Sequence, residues 1–262
     1  MKKIVAIYFL FACSCLYAQT YHPFPTHDAW WSEEAAYPQG GPGGNFSMHH
    51  DGLLFGLSTD TTFNNKHYIN IAYWHSYFYD EVWSNSYGFN VPLNVAGYKI
   101  GCLREDSSKK VWAIRYTNSY VDGMTSYFNS LPEDSELLIY DFNLSLGTYF
   151  GNYQVTNKDS VQLLDGSYRR RFIFDNGDEW IEGIGSFEGL FDGGGYPYYW
   201  LNCFSHDSVT LFKTNVNSVI DCNTGPFNYL SVPLIHTSDS IFISSFGHDF
   251  IRVQVSTEQS GT

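Results

Sequence analysis

A glutamate among glycines, Glu182, is the residue of this sequence with the clearest potential for chemistry. It lies in the string Trp180-Ile181-Glu182-Gly183-Ile184-Gly185-Ser186. Glycoside hydrolysis uses two carboxyl groups that face each other across a cleft, about 5–10 Å apart. Glu182 with Glu179 or Asp178 can supply such an acid and base, and the glycines allow a substrate to approach the backbone. One alternative is therefore a secreted hydrolase that acts on carbohydrate.

The same string has a structural interpretation, which we favour. In it, a strand leaves a sheet through a glycine-rich bend. Alternate side chains of a strand point to opposite faces, which places Glu182 on the face of Trp180 and Ile184. A carboxylate among apolar neighbours needs a partner that offsets its burial, and Arg169 or Arg171 is the expected one. The favoured prediction is thus that the chain has no catalytic residue, with Glu182 and Glu179 kept as the alternative.

Aromatic side chains are the second group with chemical potential. The chain has 7 Trp, 21 Tyr and 21 Phe, more rings than a core of this size needs. Exposed rings stack on sugar faces or bury into protein partners, with a large contact area at little rotamer cost. The competing interpretation is that the rings pack the faces of a sheet. The predicted binding residues are Trp30, Trp31, Tyr196, Tyr198 and Trp200.

Histidine and serine motifs give no further site. His49-His50-Asp51 and His206-Asp207 invite a metal interpretation, but no His-x-His or His-Glu-x-x-His pattern is present. Ser186 lacks the Gly-x-Ser-x-Gly spacing of a nucleophile elbow. The sequence therefore predicts no metal site, no cofactor and no serine hydrolase.

The elements that position these residues are predicted to be strands. Hairpin signals stand between apolar runs: a polar turn at residues 105–108, then Asp165-Gly166 and Asn176-Gly177, whose residue types suit two-residue turns. No convincing helix longer than about two turns is found. Residues 19–50 hold four of the nine prolines and a Gly-rich run, so we expect an irregular leader there. A β body should follow over residues 51–240.

The first eighteen residues have the pattern of a secretory signal. Lys2 and Lys3 precede an apolar run over residues 4–16, and the small residue Ala18 precedes Gln19. We expect cleavage after Ala18 and a secreted or cell-surface location; a lipoprotein with Cys13 or Cys15 acylated is the alternative. The net charge of −13 argues against nucleic acid as a partner, because phosphate binding is driven by Lys and Arg. No membrane insertion is predicted, since the apolar run is shorter than a spanning helix.

Three cysteines remain after such a cleavage: Cys102, Cys203 and Cys222. Disulfides persist in exported proteins. Cys203 and Cys222 flank a predicted strand and are expected to pair. Cys102 is then left as a small buried residue.

Four strings, in order, carry a resemblance to a large set of uncharacterised exported proteins of the Bacteroidota. The family strings REDxxxKVY, LLYDFxL and WIEGIGSxxGL are matched at residues 104–112, 137–144 and 180–190, and DSVxLxxGxxRKRxxF is matched within residues 159–172. The resemblance covers about residues 97–222 and implies export. Many such proteins end in a β-domain used by the type IX secretion machinery, so residues 241–262 are interpreted as its degenerate or truncated start. The resemblance implies no particular activity.

Together these observations predict an all-β protein, an antiparallel meander that forms a sandwich or a partly closed barrel. The leading functional hypothesis is an exported, non-enzymatic binding or scaffold module whose ligand is a glycan or a protein. The alternatives are the carbohydrate-acting hydrolase and a purely structural domain. Neither the oligomeric state nor the identity of the ligand follows from the sequence.

Overall fold

The computed structural model describes residues 20–40, 46–80, 97–119, 121, 126–191, 198–214, 222, 240–246 and 250–256. The chain divides into two compact units, Met1–Gly225 and Pro226–Thr262. This division falls earlier than the boundary expected at residue 240. The fold is all-β with antiparallel sheets that curl into half-barrels, as the sequence predicts. In the described residues, no helix is long and apolar enough to span a bilayer.

The first unit holds an eight-stranded sheet and a five-stranded sheet. The strands of the larger sheet are β1 Ala29–Gly40, β2 Phe46–Phe63, β3 Lys66–Asp80, β4 Tyr98–Glu105, β5 Lys110–Arg115, β6 Leu137–Asp141, β12 Tyr198–His206 and β13 Val209–Lys213. Those of the smaller sheet are β7 Tyr149–Phe150, β8 Tyr153–Gln162, β9 Tyr168–Phe174, β10 Glu179–Ile181 and β11 Gly185–Ser186. In the larger sheet the strands follow the order β13-β12-β1-β2-β3-β4-β5-β6, and in the smaller one β11-β10-β9-β8-β7. The short helix α1 spans Ser126–Ser130.

The expected leader is wrong over residues 29–40 and 46–50, which are strand. Strand β1 lies between β2 and β12 and is hydrogen-bonded to both. Pro38 is tolerated because the pairing with β12 ends at Ala36, so Pro38 has a partner strand, β2, on one side only. Residues 41–45, the centre of the Gly-rich run, lie outside the described residues.

The turn residues are where the sequence places them, but the loops are longer than predicted. Phe174 donates its N–H to the carbonyl of Asp178 at 2.9 Å, which leaves a three-residue loop that ends in Gly177 at φ 92°. The Asp165-Gly166 loop is built in the same way, with Gly166 at φ 84°. This is the hairpin in which a glycine with positive φ follows a type I turn.

One apolar core joins both sheets of the first unit. Trp31 and Phe55 of the larger sheet are fully buried, as is Phe172 of the smaller sheet, and they belong to one cluster.

The second unit contains a hairpin of β14 Ser240–Phe246 and β15 Phe250–Ser256. It matches the strand or two that the sequence predicts over residues 241–255.

Candidate functional site

Residues 21–24, which precede β1, are held by two glutamates from distant parts of the chain. The backbone N–H of His22 donates to Oε1 of Glu182 at 2.8 Å. The backbone N–H of Phe24 donates to Oε2 of Glu105 at 2.8 Å, and the hydroxyl of Tyr21 donates to Oε1 of the same carboxylate. Carboxylates that accept backbone N–H groups form strong, charge-assisted bonds. We call this stretch the 21–24 segment.

Glu182 is a buried, paired carboxylate, as the structural interpretation expects, but its surroundings differ. Strand β10 ends at Ile181, so Glu182 lies in a turn and not on a strand face. Its side chain is 0 % exposed, and its Oε2 lies 3.5 Å from Nη1 of Arg170. Of the two predicted partners, Arg171 instead binds Asp159 through two hydrogen bonds, and the guanidinium of Arg169 lies beside Gly183.

The other predicted acids are also engaged. Glu179 accepts a hydrogen bond from Nη1 of Arg171 at 2.9 Å. Both oxygens of Asp178 accept hydrogen bonds, one from the hydroxyl of Ser186 and one from the indole N–H of Trp180, each at 2.6 Å. Burial raises the pKa of Asp178 above its usual range, although these hydrogen bonds oppose the shift. The three acids therefore serve the local structure.

Glu105, which no sequence pattern indicated as a candidate site residue, has an unusual environment. Burial raises the pKa of its carboxyl from 4.5 to about 7, and the neighbouring charges of Asp106 and Glu182 act in the same direction. The N–H of Phe24 and the charge of Lys109 oppose the shift. The 21–24 segment is thus bound to a group that titrates near neutral pH.

Trp30 and Trp31, two of the predicted binding residues, are core residues. Trp31 is 0 % exposed, stacks on Phe24 with ring centroids 5.5 Å apart and donates its indole N–H to the carbonyl of Ile184 at 2.7 Å. Trp30 is 5 % exposed and covers Gly56, where a Cβ would come within 2.4 Å of the ring. The prediction of an exposed strip at these two positions is wrong, because Trp31 packs into the core shared by the two sheets and Trp30 packs on Gly56 and the ring of Trp74.

The remaining predicted binding residues lie around the start of β12. Tyr196 is outside the described residues, and the side chain of Tyr198, the first residue of β12, is outside the described side chains. Trp200 is partly exposed, and its indole nitrogen is shielded from solvent without a hydrogen-bond partner in the described part of the chain. The structure does not assemble these positions into a described surface.

A pocket of about 230 Å³ opens beside the turn that joins β7 to β8. We call it the β7–β8 pocket. Its buried side is apolar and aromatic, and its exposed side carries polar groups and a tyrosine. The lining residues are Ile139, Tyr140, Phe150, Trp180, Leu190 and Phe191 on the buried side, with Gly151, Asn152, Tyr153, Asn176 and Asp178 around the opening.

Two hairpin loops bring the polar groups of the β7–β8 pocket together. Phe150 pairs with Tyr153 across the tight turn at Gly151 and Asn152. The ring of Phe150 packs against that of Trp180, with the two ring centroids 4.7 Å apart. Asn176 comes from the loop between β9 and β10. The sequence predicts the second loop but not the first, since β7 has only two residues and offers no alternating pattern. The Gly-Asn dipeptide between two aromatic residues was the signal that could have revealed it.

The predicted disulfide is present between Cys203 and Cys222, whose Cα atoms are 5.7 Å apart. Cys102 is free and fully buried, and burial raises the pKa of its thiol to about 11. A thiol of this kind is inert, because the thiolate is the reactive form. The cysteines thus stabilise the fold.

No protein-family model, curated protein or solved structure matches this chain. The resemblance to exported proteins of the Bacteroidota therefore stays a prediction, and the function has to be inferred from the chemistry of the described residues.

Proposed function

We propose that this chain is an exported, non-enzymatic binding module that takes a glycan in the β7–β8 pocket. The observation that carries the proposal is the combination of Tyr153, Asn152 and Asn176 around an aromatic floor. A sugar ring has an apolar C–H face and a polar edge. The ring of Tyr153, which has a polar tip, suits the apolar face of the sugar. The side-chain amides of Asn152 and Asn176, each with two donors and one acceptor oxygen, suit the hydroxyl groups at its polar edge.

The size of the pocket supports a small occupant. Pockets for drug-sized ligands hold about 300–1,000 Å³, and this one, at about 230 Å³, has room for a single sugar ring. Tyr153 is 43 % exposed, so its ring remains accessible at the opening.

The hydrolase alternative has less support. Two carboxylates across a cleft are needed, and the lining of the β7–β8 pocket contains one, Asp178, whose two oxygens are already hydrogen-bonded. Glu182 is buried under the 21–24 segment and Glu179 is paired with Arg171. Export rests on the signal-like first eighteen residues and on the family resemblance.

A glycan array tests this proposal directly. Residues 19–262 should bind selectively to a subset of glycans, and Tyr153→Ala and Asn152→Ala should each lower that binding at least about tenfold. Tyr98→Ala is the matched control, since it removes a 72 % exposed tyrosine from the larger sheet. Equal binding by Tyr153→Ala and the wild type would exclude the β7–β8 pocket as the site. An array on which the wild type binds no glycan would refute a glycan ligand and leave a protein ligand as the next class to examine.

A further inference from the structure

A histidine from before β1 meets a neighbouring histidine–aspartate pair from the end of β12 at one end of the larger sheet. His27 precedes β1, His206 is the last residue of β12, and Asp207 follows it in the turn to β13. Antiparallel pairing places Ala29 opposite His206, and the N–H of Asp207 donates to the carbonyl of Asp28 at 3.1 Å. The backbone therefore fixes the three side chains near one another.

The distances among the three groups suit a metal ion. One ligand atom from each residue lies within 4.8 Å of the other two. Nε2 of His27 is 3.4 Å from Oδ1 of Asp207, and Nε2 of His206 is 3.8 Å from the same oxygen. Tetrahedral Zn²⁺ at about 2.0–2.1 Å from each N or O ligand requires about 3.3 Å between ligands. Small side-chain rotations bring these atoms to that spacing.

The surroundings of the two imidazole rings also suit a metal site. The hydroxyl of Thr26 lies 3.3 Å from Nδ1 of His27, which leaves Nε2 of that ring free to bind an ion. Nε2 of His206 is shielded from solvent and has no hydrogen-bond partner in the described ranges. A shielded imidazole nitrogen that faces a carboxylate but makes no hydrogen bond gains a partner when a cation lies between them.

We propose that His27, His206 and Asp207 bind a divalent transition-metal ion such as Zn²⁺. Imidazole nitrogen and carboxylate oxygen are ligands that Zn²⁺ accepts, and three protein ligands leave a fourth position open. The ion joins the residues before β1 to the β12–β13 turn. The sequence predicts no metal site because His27 and His206 are far apart in the chain, and only the pairing of β1 with β12 brings them together.

Calorimetric titration of ZnCl₂ into EDTA-treated residues 19–262 at pH 7.5 tests the proposal. The wild type should bind with a component that His27→Ala and His206→Ala each weaken at least about tenfold, since each removes a ligand. Zn²⁺ should also raise the Tm of the wild type and not that of the two variants. CaCl₂ should leave the Tm unchanged, because Ca²⁺ requires six or more oxygen ligands.

His67→Ala is the matched control. Nε2 of His67 lies 3.3 Å from Oδ2 of Asp60, and both side chains are exposed, but no second histidine joins this pair in the described residues. The His67→Ala substitution should leave the Zn²⁺ affinity unchanged. No Zn²⁺ binding by the wild type, or binding that both ligand variants retain in full, would overturn the proposal.

Discussion

The backbone N–H of His22 and the side chain of Glu182, 160 positions apart in the sequence, form a 2.8 Å hydrogen bond. It attaches the residues before the first strand to the turn after β10. Since the Glu182 side chain is 0 % exposed, its end of this bond is shielded from water. Shielding makes the bond strong and makes its loss costly, because partly buried donors are then left without compensation.

Removal of the Glu182 carboxylate should therefore destabilise the protein. We expect Glu182→Ala to lower the free energy of unfolding by about 3 kcal/mol, because it leaves the N–H of His22 without its acceptor and the guanidinium of Arg170 without its ion-pair partner. Glu182→Gln keeps one acceptor oxygen and should cost less, about 1–2 kcal/mol. Urea unfolding measures both. The control is Glu179→Gln, which removes the partly exposed ion pair with Arg171, an interaction worth about 0–1 kcal/mol. Equal losses in Glu182→Ala and Glu179→Gln would contradict a buried role for Glu182.

The raised pKa of Glu105 should appear as a dependence of stability on pH. In the folded state the pKa is about 7 and in the unfolded state about 4.5, so the folded state holds more protons between these values. The contribution of this group to stability is therefore full below pH 4.5 and falls as the pH rises through 7. We expect the wild type to lose on the order of 1–3 kcal/mol relative to Glu105→Gln between pH 5 and pH 8. Urea unfolding of both proteins across this range measures the difference, and a constant difference would contradict the prediction.

Two glycines with similar backbone angles should respond differently to alanine. Gly183 has φ 74° and Gly166 has φ 84°, so alanine is strained at both, by about 1–2 kcal/mol. A Cβ at Gly183 would also lie 2.9 Å from the carbonyl oxygens of His22 and Pro23, whereas a Cβ at Gly166 meets nothing within 4 Å. Only Gly183→Ala should therefore displace the 21–24 segment. Limited proteolysis followed by mass spectrometry should show faster cleavage near residue 22 in Gly183→Ala than in Gly166→Ala. Equal cleavage rates would show that the segment is not packed on this turn.

The cysteines should differ sharply in reactivity. Residues 19–262 should show one thiol per chain in denaturant, that of Cys102, and almost none with a thiol reagent in the native state, because this thiol is buried and its pKa is about 11. Cys222→Ser should lower the free energy of unfolding by about 3 kcal/mol through loss of the disulfide with Cys203. Cys102→Ala serves as the comparison and should leave the disulfide intact. A native thiol that reacts at the rate of a free peptide would contradict this assignment.

Local signals predicted the strands well where the turn chemistry was explicit. Gly166 and Gly177 mark hairpins in the structure, although each closes a three-residue loop. The turn between β2 and β3 was missed because it is made by Asn64 and Asn65, which adopt φ 48° and 60° without a glycine. Asparagine tolerates this conformation, so the Asn-Asn pair between Phe63 and Tyr68 was a usable signal.

Non-local pairing explains the larger errors. The prolines and glycines of residues 19–50 indicate a loop, yet β12 supplies a partner strand from the far end of the unit. Phe204 of that partner strand also contacts the ring of Trp31, which is therefore a core residue and not an exposed ligand contact. The role of Glu182 was predictable in kind, because an acid among apolar residues requires a partner. Its actual hydrogen-bond donor, the backbone of His22, has no sequence signature.

The position of β1 between β2 and β12 also constrains how the molecule reaches its folded state. Synthesis proceeds from the N-terminus, so β1 and β2 emerge early, while one edge of β1 must wait for residues 198–206. An unpaired edge is a template for association with other chains, and non-local pairings of this kind form slowly. A chain interrupted before β12 would carry that open edge permanently, together with the buried face of Trp31. Incomplete copies of this protein should aggregate, and its solubility should arise only when the last strands of the first unit join the sheet.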